Sequence, residues 1–97
     1  MTDEKQEFIA KLEALHSFPC DYPFKIIAVN APGILDAALR EISMVLPDLE
    51  REPTVTRRES ERGKHQSITI TLMIPSAHIV VELYARFRTL DGLHMLL

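Results

Sequence analysis

Four histidines and one cysteine are the side chains of this sequence best suited to bind a metal ion or to act as a nucleophile. They are His16, His65, His78, His94 and Cys20. No two histidines are three or four positions apart, and Cys20 is the only cysteine. His78 and Glu82 share one face of a predicted helix, but a structural metal site needs about four ligands. The sequence therefore predicts solvated histidines, a structural cysteine and no metal site.

Catalytic groups of other kinds are also missing from the sequence. The three glycines, Gly33, Gly63 and Gly92, each fall in a predicted turn, so there is no glycine-rich phosphate loop. Glu59 and Glu61 lie among basic residues, where screened ion pairs are expected. We therefore predict a protein that is not an enzyme, with no catalytic residues and no cofactor.

The segment from Asn30 to Leu35 is the candidate ligand-binding site. Proline and glycine in such a turn bring backbone N–H groups at a helix start within reach of a carboxylate. The residues predicted to bind are Asn30, Pro32, Gly33 and Ile34. The segment resembles the D/N-x-P-G-x-L loop of ACT domains, which bind small molecules such as amino acids. The same residues suit any tight strand-to-helix turn, so turn chemistry is the alternative explanation.

Hydrophobic periodicity predicts the elements that position this loop. Helices are predicted over 3–16, over 34–46 and after the N-cap Ser76, and strands over 24–29, 53–60, 64–74 and 93–97. From residue 23 the order is βαββαβ. This order predicts an α+β fold, a ferredoxin-like two-layer sandwich with a four-stranded antiparallel sheet and two helices on one face. The helix over 3–16 is an addition to that fold.

One face of the predicted sheet carries no helix. Its residues are predicted to be Lys25, Ile27, Val29, Thr69, Thr71 and Met73. A partly apolar open face is often an interaction surface. The N-terminal helix, a second copy of the chain or a partner protein could cover it, and the alternative is a solvated face with scattered aliphatic residues.

Charge divides the chain of 97 residues into two parts. The formal charge is −3, and residues 1–22, with five acidic and two basic residues, account for all of it. We therefore predict an acidic N-terminal helix and connector over 1–22 and a ferredoxin-like domain over 23–97.

We do not expect nucleic acid as a partner. The central strands offer no aromatic residue on the open face for stacking on bases, and Phe24 falls in the buried register. The acidic N-terminus and the lack of a long apolar run predict a cytoplasmic protein with no membrane contact.

Three segments resemble a family of small bacterial proteins, the YbeD-like family, a domain of unknown function. They are residues 18–25 (FPCDYPFK), 60–69 (SERGKHQSIT) and 91–97 (DGLHMLL). The resemblance covers residues 17–97, although the family more often has an aromatic residue where this chain has His65. It implies a ferredoxin-like fold similar to ACT regulatory domains, with no established activity.

The sequence thus leads to two hypotheses about function. The first is a non-enzymatic, ACT-like regulatory module that binds a small carboxylate ligand or a partner protein, as a homodimer. The second is a protein-interaction adaptor with no small-molecule ligand.

Overall fold

A computed structural model describes residues 3–97; Met1 and Thr2, which begin the predicted segment 1–22, lie outside the described residues. The helices are α1 (Glu4–Leu15), α2 (Ile34–Val45) and α3 (Ala77–Phe87). The strands are β1 (Cys20–Val29), β2 (Thr54–Glu59), β3 (His65–Ile74) and β4 (Leu93–Leu96). From β1 onward the order is βαββαβ, which confirms the predicted ferredoxin-like fold. No helix within residues 3–97 combines the length and the apolar character needed to cross a membrane.

The four strands form one antiparallel sheet in the order β2-β3-β1-β4. The two ten-residue strands, β1 and β3, are therefore central, as the βαββαβ order predicts. Side chains alternate along β3 between buried Ile68, Ile70 and Leu72 and the partly exposed residues between them. The buried side of the sheet packs against the helices around a core whose largest fully buried side chains include Phe24 and Phe87.

Strand β1 begins four residues earlier than predicted, at Cys20 instead of Phe24, and it contains Pro23. Proline cannot donate a backbone hydrogen bond and is normally excluded from the middle of a sheet. Pro23 pairs with Thr71 on the β3 side. On the other side, β4 reaches only as far as Lys25, whose N–H donates to the Leu97 carbonyl at 3.2 Å. At Pro23, β1 therefore has a neighbouring strand on one side only, as in an edge strand, although it is a central strand from Lys25 onward.

Helix α2 begins at Ile34, as predicted. Gly33 is its N-cap, with φ of 92°. This left-handed backbone favours glycine. Ser76 has the predicted N-cap position of α3, but its side chain makes no capping hydrogen bond.

The N-terminal helix α1 packs on α3, on the helical side of the sheet. Ile9 and Leu12 of α1 are buried, whereas Leu15, its last residue, is 78% exposed. The rings of Phe8 and Tyr84 lie 5.9 Å apart, and the Tyr84 hydroxyl is 3.1 Å from that of Tyr22. Burial and this hydrogen bond raise the pKa of Tyr84 well above its ordinary value. Helix α1 therefore extends the helical layer and leaves the opposite face of the sheet uncovered.

Candidate functional site

The loop between β1 and α2, residues 30–33, is tied to the β2–β3 hairpin by Asn30. The backbone N–H of Asn30 donates to the Lys64 carbonyl at 2.9 Å. Its side-chain amide donates to the Gly63 carbonyl, also at 2.9 Å. The side chain of Asn30, which was predicted to bind a ligand, is therefore engaged in positioning the loop.

Gln66, on the buried side of β3, also holds the loop in place. It is the only polar residue in the core of the described chain, with 2% of its surface exposed. Its Nε2 donates to the carbonyls of Val29 and Ala31 at 3.1 and 3.2 Å, and its Oε1 accepts from Arg57 Nε at 2.9 Å. This role of Gln66 was not predicted from the sequence. The signal was present, because Gln66 occupies the same alternation as the buried isoleucines of β3.

A cavity of about 510 Å³ lies between this loop, the first turns of α2 and the loop from α3 to β4. Pro32, Gly33 and Ile34 line it, so three of the four predicted binding residues meet at one site. The opposite wall is formed by Thr89, Leu90, Asp91 and Gly92. This second wall was not predicted, because residues 89–92 reach the cavity through the pairing of β4 with β1.

The polar groups of the cavity are of two kinds. Ala37 N donates to the Gly33 carbonyl in the first helical hydrogen bond of α2. The backbone N–H groups of Ile34 and Leu35 precede that bond, so they have no acceptor within the helix and can donate to an anion. The side-chain charges are the carboxylates of Asp91 and Glu41, and Glu41 is paired with Arg86 at 3.0 Å. Among residues 3–97, neither lysine nor arginine lines the cavity. The site thus combines a helix N-terminus for an anionic group with a free carboxylate for a cationic one.

Gly92 brings the two walls together. The Val29 N–H donates to the Gly92 carbonyl at 2.9 Å. A Cβ atom at Gly92 would lie 2.7 Å from Val29 Cγ2 and 3.3 Å from Ile34 Cδ1, and Gly92 has φ of 84°. Only glycine fits this approach without displacement of a neighbour.

The six residues predicted on the open sheet face do share that face. Lys25 pairs with Thr69, and Val29 and Ile27 lie in the same alternation of β1. The register of β4 adds Met95, opposite Ile27, and the backbone bonds of Lys25 add Leu97. Met95 and Leu97 are 49% and 56% exposed, and the face also carries the exposed apolar side chains of Val29 and Met73. Whether this face binds a partner stays a prediction.

Two of the histidines are close together in the fold, although they are far apart along the chain. The ring centroids of His65 and His94 are 4.9 Å apart, although β1 separates their strands. His16 packs against the rings of Phe18 and Tyr22. Within residues 3–97 no group of three histidine, cysteine, aspartate or glutamate side chains is arranged to hold a metal ion. Cys20 is half-buried at the start of β1.

Comparison with known proteins finds one matching family. The model of a family described as protein of unknown function, DUF493, matches residues 13–97. A UPF0250 protein of Shewanella putrefaciens is 26% identical over 87 residues, which are 90% of this chain and 96% of the relative. A UPF0250 protein of Nitrosomonas europaea is 31% identical over 72 residues, 74% of this chain and 82% of the relative. None of these names states a function.

Two solved structures resemble the fold. The solution structure of protein HP0495 from H. pylori superposes with a TM-score of 0.70 at 13% identity, covering 84% of this chain and 85% of the other. The ACT domain from GTP pyrophosphokinase of Chlorobium tepidum gives a TM-score of 0.54 at 10% identity, covering 79% and 94%. At these identities the likeness concerns the fold alone.

Proposed function

This chain belongs to the DUF493 family of proteins of unknown function, and on that premise we propose that it is a non-enzymatic regulatory module that binds a small amino-acid-like carboxylate. The observation that carries the proposal is the cavity between residues 30–34 and 89–92, with a helix N-terminus on one wall and Asp91 on the other. The ACT-like fold is consistent with such a role, because the ACT domain it resembles is part of a larger enzyme.

The charges of the cavity favour a zwitterion over a simple anion. The ligand carboxylate would accept hydrogen bonds from the amides of Ile34 and Leu35, where the helix dipole favours negative charge. The carboxylate of Asp91 would repel a second negative charge but would attract an ammonium group. Ile34, Leu90 and Ala37 give the remaining wall an apolar character suited to an aliphatic side chain.

The proposal predicts specific amide shifts in a ligand titration. We expect leucine or a similar zwitterionic amino acid to shift the ¹⁵N–¹H NMR signals of residues 33–35 and 89–92, and acetate or isovalerate to shift them less at equal concentration. Asp91→Asn removes the charge that attracts the ammonium group, and we expect it to weaken binding about tenfold, the equivalent of about 1.4 kcal/mol.

Asp36→Asn is the matched control, since Asp36 is also an exposed acid near the start of α2 but does not line the cavity. It should change the affinity much less than Asp91→Asn does. If no amino acid or carboxylate shifts the signals of residues 30–35, the proposed function is wrong.

The open sheet face supports a second candidate function, protein interaction. Its exposed residues include Val29, Met95 and Leu97, and α1 packs on the other side of the molecule. The simplest occupant is a second copy of the chain, which would make a homodimer through the two open faces. Lys25 also lies on this face, so its long side chain would have to extend along the apolar surface and place its ammonium group in solvent at the edge of such an interface.

Substitution of Ile27 tests this second candidate. We expect the chain to form a dimer in sedimentation velocity at high concentration, and Ile27→Lys to abolish it by placing a charge in the centre of the apolar patch. Met44→Lys is the control, because Met44 is 63% exposed on α2, on the helical side. A dimer that survives Ile27→Lys must use another surface, and a wild-type chain that stays monomeric contradicts the homodimer.

A further inference from the structure

The paired histidines lie together because of an irregularity in the sheet. His65 pairs with Val29 of β1 and therefore lies on the open face. On the other side of β1, Ile27 pairs with Met95 but Ala28 pairs with Leu93. His94 is the extra residue of this β-bulge, and bulges typically redirect a side chain. The two rings approach to a centroid distance of 4.9 Å with their planes at 51°.

Neither imidazole is committed to another partner in the described chain. No side-chain hydrogen bond or ion pair of residues 3–97 uses the ring nitrogens of His65 or His94. A neutral imidazole has one nitrogen with a free lone pair, and this nitrogen is a good ligand for zinc, copper and nickel ions. A tetrahedral Zn²⁺ ion with Zn–N bonds of about 2.0–2.1 Å holds two such nitrogens about 3.3 Å apart. Rings at the observed separation can each turn one nitrogen toward such an ion.

We propose that His65 and His94 form a two-histidine site for a divalent transition-metal ion such as Zn²⁺, with one ion per chain and water at the remaining positions. The site is open, since no third side-chain ligand converges on it within residues 3–97. An ion at this position links β3 to β4 across β1. Binding therefore stabilises the pairing of the short last strand, β4, with the rest of the sheet.

Titration of the full chain with ZnCl₂ at neutral pH tests the site. Isothermal calorimetry is expected to show saturable binding of one ion per chain, and the ring signals of His65 and His94 are expected to shift together in NMR spectra. His65→Gln and His94→Gln should each weaken Zn²⁺ binding at least tenfold, because a single imidazole remains. MgCl₂, whose diamagnetic ion prefers oxygen ligands, is expected to cause no comparable shift of either ring.

His78→Gln is the matched control, because His78 is an exposed histidine on α3, far from the pair along the chain. It should leave the affinity unchanged. A dispersed ¹⁵N–¹H spectrum of each variant confirms that the chain is folded. The proposal is overturned if Zn²⁺ leaves both ring signals in place, if His78→Gln weakens binding as much as the other two substitutions, or if the ion binds two chains at once. The first of these results would identify the pair as an aromatic contact only.

Discussion

Replacing Gly92 by alanine is expected to lower the free energy of unfolding by about 2–4 kcal/mol. Two costs add up at this position. The left-handed backbone, with φ of 84°, is unfavourable for any residue with a Cβ atom, and that atom would lie 2.7 Å from Val29 Cγ2. For a domain of this size, each kcal/mol lowers the melting temperature by about 4–8 °C, so thermal unfolding by circular dichroism measures the effect.

Gly63→Ala separates the two costs. Gly63 also has a positive φ, of 70°, but no atom lies within 4 Å of a Cβ built there. We expect this substitution to cost about 1–2 kcal/mol, the price of the backbone conformation alone. Adding Val29→Ala to Gly92→Ala removes the contacting methyl group and should recover about 1–2 kcal/mol in a double-mutant cycle. Equal losses for Gly92→Ala and Gly63→Ala would contradict the close approach of the two loops.

The same substitution bears on the proposed function. Because Gly92 and Val29 both line the cavity, a displacement of either changes the space between its walls. We therefore expect Gly92→Ala to weaken amino-acid binding more than Gly63→Ala does.

Gln66→Leu is the substitution with the second largest expected effect, a loss of about 1–3 kcal/mol. Leucine has a similar volume but cannot donate to the carbonyls of Val29 and Ala31, and the Ala31 carbonyl then loses its partner near the core. Val29 retains the hydrogen bond from Ala31 N. The loop that precedes α2 is therefore expected to loosen, and hydrogen exchange of the amides of residues 31–35 to become faster along with the loss of stability.

Two further variants identify the donor role of Gln66. Gln66→Glu keeps a partner for Arg57 but directs a carboxylate oxygen at the two carbonyls, so we expect it to destabilise the protein as well. Asn30→Ala removes the exposed hydrogen bond to Gly63 and should cost less, about 0.5–1 kcal/mol. If Gln66→Glu is as stable as the wild type, the contact with Arg57 is the one that matters.

Much of the candidate site could be predicted from local sequence. Pro32 and Gly33 identify the loop, and the polar position of Gln66 among buried isoleucines marks a side chain that needs partners. The other wall of the cavity could not be predicted in this way. Residues 89–92 form an ordinary turn in the sequence, and their distance from the loop depends on the pairing of Val29 with Gly92, which are far apart along the chain.

The open face of the sheet could likewise be predicted only in part from the sequence. Alternation along β1 and β3 predicted that Ile27 and Thr69 share a face, and the structure places them there. The contribution of Met95 depends on the bulge in the pairing of β4, which no pattern in the four residues of that strand reveals.

The sequence by itself determined the order of the elements, the ferredoxin-like fold, the central position of β1 and β3 and the location of the negative charge in residues 1–22. Hydrophobic periodicity and turn residues act over a few positions and predict the elements. The rules for right-handed connections then predict the order of the strands in the sheet. Only the tertiary structure decided that α1 packs on α3, that His65 and His94 meet across β1 and that two loops enclose one cavity. Periodicity reports which side of an element is buried, whereas the identity of the segment that buries it depends on long-range pairing and on register.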